Sequence, residues 1–336
     1  GIPWICDFRD PWTDYFLGEW PTRLHYWLCR RMERDMMACP DAVIAITPGH
    51  QKIIERRWPE LRGRVVTITN GFEDERPVQG RLPDRGRPTG RLDIVYSGSF
   101  CGSSDPQDRA SLGQRLFSFR PRDFRAEGHT ARYLLEAMAS FLRRSPGWRG
   151  RLSLTQLGVP DQSAQCYATK LGIGEAFHSP GYVPAAESAR LQAEASALFL
   201  CVAHSTSGDY NDCVPQKTYE YLATGRPILA AVPDGDARAF LHRAGNGLVC
   251  HTTDVRALAD AIGKLCEMAD GDRPEPAPDW QFIAQFRASH LTHRLVRVFH
   301  AVLGGSPTLN RIEPFPRQLE GSASAESGLA TRVNAA

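Results

Sequence analysis

Short apolar runs alternate with segments of helical period along most of this chain, and that alternation restricts the fold more than any other feature. Gly1–Phe8 (GIPWICDF), Asp41–Thr47 (DAVIAIT) and Val65–Thr69 (VVTIT) read as buried strands, separated by helices over Pro21–Met37 and Pro48–Trp58. A parallel pair of strands needs a crossover between them, and a helix supplies it, so the pattern predicts a parallel α/β sheet. A second series begins with a strand at Leu92–Tyr96 and a helix at Ala131–Arg143. It continues with the strands Leu152–Leu157, Ala197–Val202 and Ile228–Val232. Helices are expected near Gln162–Leu171 and at Ala185–Ala195, Gln216–Thr224, Asp236–Ala244 and Asp254–Met268.

Between the two series the chain from Glu73 to Arg91 is rich in Pro, Gly and Arg and lacks periodicity, as a linker does. The expected organisation is a partial first lobe over 1–75, a linker over 76–91 and a second lobe over 92–270. A closing amphipathic helix or helix pair follows over 279–303. The tail 304–336 is poor in apolar residues and reads as disordered. The stretch from Phe100 to Gly128 is polar and arginine-rich, a length of loop that compact domains usually reserve for function.

A chain of 336 residues with 42% hydrophobic side chains can bury two cores. Its 40 basic and 38 acidic residues leave a net charge of +2, so no global field recruits nucleic acid. Only Lys52, Lys170, Lys217 and Lys264 are lysines, and the remaining positive charge is arginine. Nine scattered cysteines without a Cys-x-x-Cys pair read as reduced thiols in a cytoplasmic protein, and no metal site is expected. Apolar runs such as Ala197–Ala203 fall far short of the ~20 residues that span a bilayer. The opening on Gly1, directly into a strand, reads as a cut through a domain. In Pro21–Met37 the residues Leu24, Trp27, Leu28, Met32 and Met36 recur at helical spacing with arginines opposite. This predicts a helix packed on the sheet, with a membrane-surface helix as the alternative.

The strongest local signal is Asn211–Pro227 (NDCVPQKTYEYLATGRP). Pro215 suits a helix start, Gly225 suits a left-handed helix end, and Pro227 forbids continuation. The amino end of such a helix directs unsatisfied N–H groups and partial positive charge toward the strand ends, where a diphosphate would be stabilised. Lys217 and Glu220, three residues apart, share one face: a cation for phosphate beside a carboxylate for ribose, or an ordinary surface pair.

This segment resembles the nucleotide-sugar motif of GT-B glycosyltransferases, in particular glycosyltransferase family 4. There, two acidic residues eight positions apart lead into an "EYLA.G.PILA" helix and strand, and here the pair is Asp212 and Glu220. Arg9-Asp10-Pro11-Trp12, Asp41–Thr47, Asn70-Gly71, Tyr96-Ser97-Gly98, Leu157-Gly158 and Gly181-Tyr182-Val183 fall in the family's order. The resemblance implies an α/β GT-B fold of two Rossmann-like lobes with parallel sheets, the first incomplete. It implies a retaining, metal-independent hexosyltransferase of polysaccharide or cell-envelope synthesis, without cofactor. The donor would be a nucleotide sugar and the acceptor a glycan or a lipid-linked molecule, with peripheral contact at the inner face of a membrane open. Glu220 would hold the ribose, Asp212 the sugar, Val183 the base, and Gly98, Ser99, Gly158 and Thr218 the surroundings of the diphosphate. Lys217 would stabilise the departing phosphate. A sugar-nucleotide epimerase or a non-catalytic nucleotide-sugar-binding module are the alternatives.

The sequence departs from the family at three places. Ser99 follows Gly98 where the family soon places an Arg and a Lys, so Arg109, Arg115, Arg120, Arg122, Arg125 and His129 become candidate phosphate partners. Arg9 precedes Asp10 where many relatives carry His; a guanidinium cannot serve as a base, and Arg9 either binds phosphate or acceptor or pairs with Asp10. The third is the incomplete first lobe. His204-Ser205 with Asp209 lacks the turn of a nucleophile elbow, and His290 with His293 lacks a third metal ligand.

Overall fold

The computed structural model describes residues 2–13, 15, 18–75, 90–100, 119–121, 124–205, 210–305 and 309, of which 124–127 as backbone only. Arg109, Arg115, Arg122 and Asp209, the Arg125 side chain, residues 76–89 of the linker and the tail beyond 309 lie outside the described residues. In chain order the first lobe holds β1 (Ile5–Phe8), α1 (Arg23–Met37), β2 (Ala42–Ala45), α2 (Pro48–Arg57) and β3 (Val65–Thr67). There follow β4 (Leu92–Ser97), β5 (Phe124–Arg125), α3 (Arg132–Arg144), β6 (Leu152–Leu157), α4 (Gln162–Lys170), β7 (Phe177–Gly181), α5 (Ala185–Glu194), β8 (Ala197–Cys201) and β9 (His204–Ser205). The chain continues with α6 (Gln216–Thr224), β10 (Ile228–Ala231), α7 (Asp236–Ala244), β11 (Gly247–Cys250), α8 (Val255–Asp270), α9 (Trp280–Ala284) and α10 (Ala288–Leu303).

The second sheet is parallel throughout, in the order β11-β10-β8-β4-β6-β7. Counted along the lobe, its neighbours run third, second, first, fourth, fifth, sixth, the doubly wound order. The direction of winding reverses between β4 and β8, and ligands of such sheets bind outside the carboxyl ends at that point. One face is covered by α3 and α8 through Leu134, Met138, Ile262 and Leu265, the other by α6 and α7 through Tyr221, Leu222, Phe240 and Leu241. Strand β11 and the short antiparallel β5–β9 pair were not legible from periodicity. β11 (GLVC) is too short and too weakly patterned, and a two-residue pair carries no period at all.

The first sheet, β1-β2-β3, is also parallel. Alternation along its strands feeds two cores: Cys6, Phe8, Val43 and Ala45 meet Met37, Ile54 and Trp58, while Ala42, Ile44 and Val66 meet Val298 of α10. The last helix therefore crosses back and closes the first lobe. It is separated from α9 by a break into which the first lobe's chain inserts: Phe72 N–H donates to Phe286 O (3.0 Å) and Ala288 N–H to Phe72 O (3.0 Å). A Cβ on Gly71 would stand 2.1 Å from Phe286 O, which is why the Asn70-Gly71 turn requires glycine.

Helix α1 overturns the expectation for its apolar stripe. Leu24, Trp27, Leu28 and Met32 are 62%, 55%, 45% and 58% exposed, and the face turned inward carries Glu33 and Met37 instead. The cause is ionic. Glu33 accepts from Arg57 Nη1 (3.1 Å) and, over a short contact, from the Thr13 hydroxyl, both beneath the helix. A buried carboxylate without such partners would be strongly destabilising, so the pair sets the roll of α1 and turns its apolar stripe outward.

Candidate functional site

The site is built at the carboxyl ends of β4, β6 and β7, where three strands end close together on glycine. Gly98, Gly158 and Gly181 all have positive φ (138°, 149° and 96°). Gly98 N–H donates to Leu157 O (2.7 Å) and Gly158 N–H to Gly181 O (3.1 Å), so each turn is tied to the next strand. A Cβ on Gly158 would stand 2.7 Å from Gly98 O. Because the Gly98 amide is committed to Leu157, what Gly98 contributes to a ligand is room rather than a hydrogen bond.

That room is occupied by Lys217. Its Nζ lies where a Gly98 side chain would begin, 2.5 Å from an ideal Cβ, and 4.1 Å from the centre of the Tyr96 ring. Nζ donates to Tyr96 Oη (2.8 Å), a cation held by a phenol and by its ring face. Tyr96 Oη also meets Ser99 O (3.1 Å) and His129 Nε2 (3.2 Å). Phe100 stacks on the Tyr96 ring at 4.2 Å and fixes it from the side. Burial and the Lys217 charge push the His129 imidazole down to about 4.

Helix α6 presents Lys217 as its sequence dictates. Pro215 precedes the first turn, Gly225 ends the helix at φ 68°, and Thr218, Tyr219, Tyr221 and Leu222 are buried in the second lobe. This leaves Lys217 and Glu220 half-buried on the cleft side. Glu220 is near enough to Tyr221 to raise its phenol; burial is the larger cause, and the phenol oxygen accepts from Ser97 N–H at 2.7 Å. Thr218 Oγ1 is buried with no hydrogen-bond partner among the described residues, and Val183 is half-buried after β7.

Asp212 is buried at the seam between the lobes. Its carbonyl accepts from the Thr47 hydroxyl (2.9 Å), the N-cap of α2. Beside it Asp236 Oδ2 accepts from Gly49 N–H (2.9 Å) and Oδ1 from the Tyr210 hydroxyl (3.0 Å). Burial, with the Asp212 charge adding to it, pushes the Asp236 carboxyl up to about 6. Sequence reasoning assigned Asp236 only to a helix start, passed over Gly49, and named Tyr96 only as part of the Tyr96-Ser97-Gly98 run, with no role of its own. Their partners are far off along the chain, and no local pattern marks them.

Two of the remaining candidates are engaged otherwise than expected. Arg9 pairs with Asp7 (2.9 Å) rather than with Asp10, and its Nη1 reaches Asn70 Oδ1 (3.5 Å). Asp10 is exposed, with its carboxyl raised by partial burial. Arg120 bridges to Glu19 of the first lobe (2.8 Å) and is therefore not placed as a free phosphate cation. His290 and His293 are exposed on α10, and among the described residues no three His, Cys, Asp or Glu side chains come together as a metal site.

A sequence profile of the family described as glycosyl transferases group 1 matches residues 123–268, from β5 to the end of the sheet's covering helix α8. The matched residues all lie in the second lobe, which is similar to that family. The chain carries the GT-B fold, and solved structures of that fold superpose on it. Sucrose-phosphate synthase from Thermosynechococcus elongatus does so with a TM-score of 0.54 at 15% identity, over 90% of this chain and 68% of that one. HepE from Anabaena, solved in complex with UDP, gives 0.55 at 16% identity over 89% and 72%. A glycosyltransferase from Rickettsia africae gives 0.53 at 11% identity over 79% and 64%. A search of curated proteins found no match. Within the matched residues, Asp212 lies between β9 and α6, and Lys217 and Glu220 lie on α6 itself.

Proposed function

We propose that this chain is a retaining hexosyltransferase, taking a hexosyl group from a nucleoside-diphosphate sugar to a glycan or lipid-linked acceptor in polysaccharide or cell-envelope synthesis, in the cytoplasm. The observation that carries this reading is the Lys217 ammonium held over Gly98, at the carboxyl end of β4 beside the switch point. In the reaction the bond from C1 of the sugar to the diphosphate oxygen breaks and a bond from the acceptor oxygen to C1 forms on the same face. The acceptor's proton passes to the leaving phosphate. Negative charge grows on that phosphate, and a preorganised cation together with the amino end of α6 stabilises it. Lys217 and the helix end take the part that a divalent metal has in other transferases, so the reading has no cofactor. Glu220 holds the ribose, Asp212 the donor hydroxyls, and Val183 lies beside the base. Arg9, bound to Asp7 and reaching Asn70, orders the first-lobe loop in which Asp10 faces the acceptor. The HepE structure with UDP supports a nucleotide donor for this fold.

Calorimetric titration with UDP, GDP, ADP and dTDP tests the reading. One diphosphate is expected to bind at micromolar concentration, and Glu220→Ala to weaken it by about 1.5–3 kcal/mol, the loss of a charged hydrogen bond. Binding of none sinks the donor site; binding without transfer to any acceptor reduces the chain to a nucleotide-sugar-binding module.

The outward stripe of α1, with Arg23, Arg31 and Arg34 beside Leu24, Trp27, Leu28 and Met32, favours an acceptor presented at a membrane surface. Apolar side chains flanked by arginines suit the headgroup region of an anionic bilayer. Co-sedimentation with vesicles of anionic phospholipid, and not with neutral ones, is expected for the wild type. Trp27→Glu with Leu28→Glu should abolish it while leaving the thermal midpoint in place; equal sedimentation of the double variant would refute the contact.

A further inference from the structure

The cluster around Tyr96 contains more hydrogen-bonding constraint than a single lysine needs. Tyr96 Oη has one proton and three neighbours: Lys217 Nζ at 2.8 Å, Ser99 O at 3.1 Å and His129 Nε2 at 3.2 Å. The ammonium can only donate and the carbonyl can only accept. The phenol therefore gives its proton to Ser99 O and accepts from Lys217. The third contact is satisfied when His129 donates through Nε2, which leaves the lone pair of the neutral ring on Nδ1.

We infer that His129 is a positioning residue that takes up a proton when a diphosphate binds beside Lys217, so that a second positive charge joins Lys217 as the ligand arrives. This rests on the donor-site reading above. The proton comes from solvent and goes to Nδ1; Nε2–H keeps its bond to Tyr96 Oη, and no other bond changes. Among the described residues, the groups facing the ring are the Tyr96 phenol of β4, Lys217 of α6 and, beside the preceding residue Gly128, the His204 imidazole of β9. The Glu220 carboxylate lies one turn along α6 from Lys217.

In the empty site the nearby ammonium and partial burial keep the ring neutral, with its pKa at about 4. A diphosphate ester carries about two negative charges, and placed against Lys217 it reverses the local field. Among the described residues, Arg120 is bound to Glu19 and residues 98–100 hold no cation. A proton on His129 provides one only while the ligand is present, which avoids two uncompensated positive charges in a half-buried cluster when it is absent.

The test uses UDP-glucose and GDP-mannose, whose esterified diphosphates do not titrate near neutrality, with the full chain. A rise of the ring's pKa above 5 on binding is expected to give about tenfold tighter binding at pH 5 than at pH 8, with net proton uptake at pH 5. Calorimetry in two buffers of different ionisation enthalpy measures that uptake directly. His129→Gln is expected to bind without uptake and with an affinity nearly flat in pH. The comparison also cancels Asp236, which titrates in the same window in both proteins. Because the variant disturbs Tyr96, the imidazole proton resonance of His129 in the wild type provides a second readout; its midpoint is expected to move upward on ligand addition. Binding without uptake and without that movement overturns the inference and leaves the donor site standing. Failure of both sugar nucleotides to bind at either pH overturns the donor reading, and this inference with it.

Discussion

Replacing Lys217 with alanine is expected to lower kcat/KM for sugar transfer by about 10²- to 10³-fold, as removal of one preorganised donor to a developing anion does. The reason is placement. Nζ is fixed over Gly98 by the Tyr96 hydroxyl and ring, so little of its stabilisation is spent on ordering the side chain when the ligand arrives. Most of the loss should fall on kcat, because charge on the leaving phosphate is greatest in the transition state. The fold should survive, since α6 is held by Tyr219, Tyr221 and Leu222, although the charged hydrogen bond to Tyr96, about 1.5–3 kcal/mol, and the contact with its ring are lost with the lysine. Lys217→Arg is not expected to restore activity: the larger guanidinium cannot sit where only a missing Gly98 side chain leaves room. Activity within fivefold of wild type in Lys217→Ala, measured at saturating donor, would remove Lys217 from the mechanism.

Much of the fold was legible because hydrophobic period and punctuation agreed. Pro215, Gly225 and Pro227 delimit α6 at Gln216–Thr224, the range that the helix-start and helix-stop residues predict. Ile228–Ala231 and Ala197–Cys201 are fully buried strands and read as unbroken apolar runs. The errors fall where a distant partner overrides the local pattern. Periodicity alone turns Leu24, Trp27, Leu28 and Met32 of α1 inward; Arg57, twenty-four residues beyond Glu33, turns them outward. The site divides in the same way. Lys217 and Glu220 share one face of α6, a relation that their spacing carries, and Asp212 entered with the family resemblance. Tyr96 is the fifth residue of an apolar strand, and only the fold brings Lys217 from 121 residues away onto its ring. Arg9 was left between binding phosphate or acceptor and pairing with Asp10, whereas alternation along an extended strand places Asp7 on the same side as Arg9 and yields the observed pair.

Gly49→Ala is expected to act on the seam between the lobes, and through it on Asp212. A methyl group at Gly49 would begin 2.3 Å from Asp236 Oδ2, 2.9 Å from the Tyr210 ring and 3.2 Å from Asp212 Cβ. The first two distances are shorter than side chains tolerate; Tyr210 is exposed and can turn away, whereas Asp236 is buried. Either α2 withdraws from the second lobe, breaking the bonds from Gly49 N–H to Asp236 and from the Thr47 hydroxyl to Asp212 O, or Asp236 is displaced from its bonds to Gly49 N–H and the Tyr210 hydroxyl. Overpacking of this kind destabilises by about 1–3 kcal/mol, and a shift of about 1 Å at Asp212 is enough to lower transfer about 10²-fold. The two contributions separate in a double-mutant cycle with Asp236→Ala, which removes the nearest obstacle. Gly49→Ala should lose most of its effect on the thermal midpoint in that background, while donor hydrolysis and transfer both stay depressed because Asp236 no longer secures the seam. The pH dependence gives an independent check. Asp236 has a folded-state pKa near 6, above its unfolded value, so its contribution to stability is present at low pH and lost as pH rises through 6. The thermal midpoint of the wild type should fall between pH 5 and pH 7 by more than that of Asp236→Ala. Additive midpoints across the cycle, or identical pH profiles, would show that Gly49 and Asp236 do not act on one another and that the seam is held elsewhere.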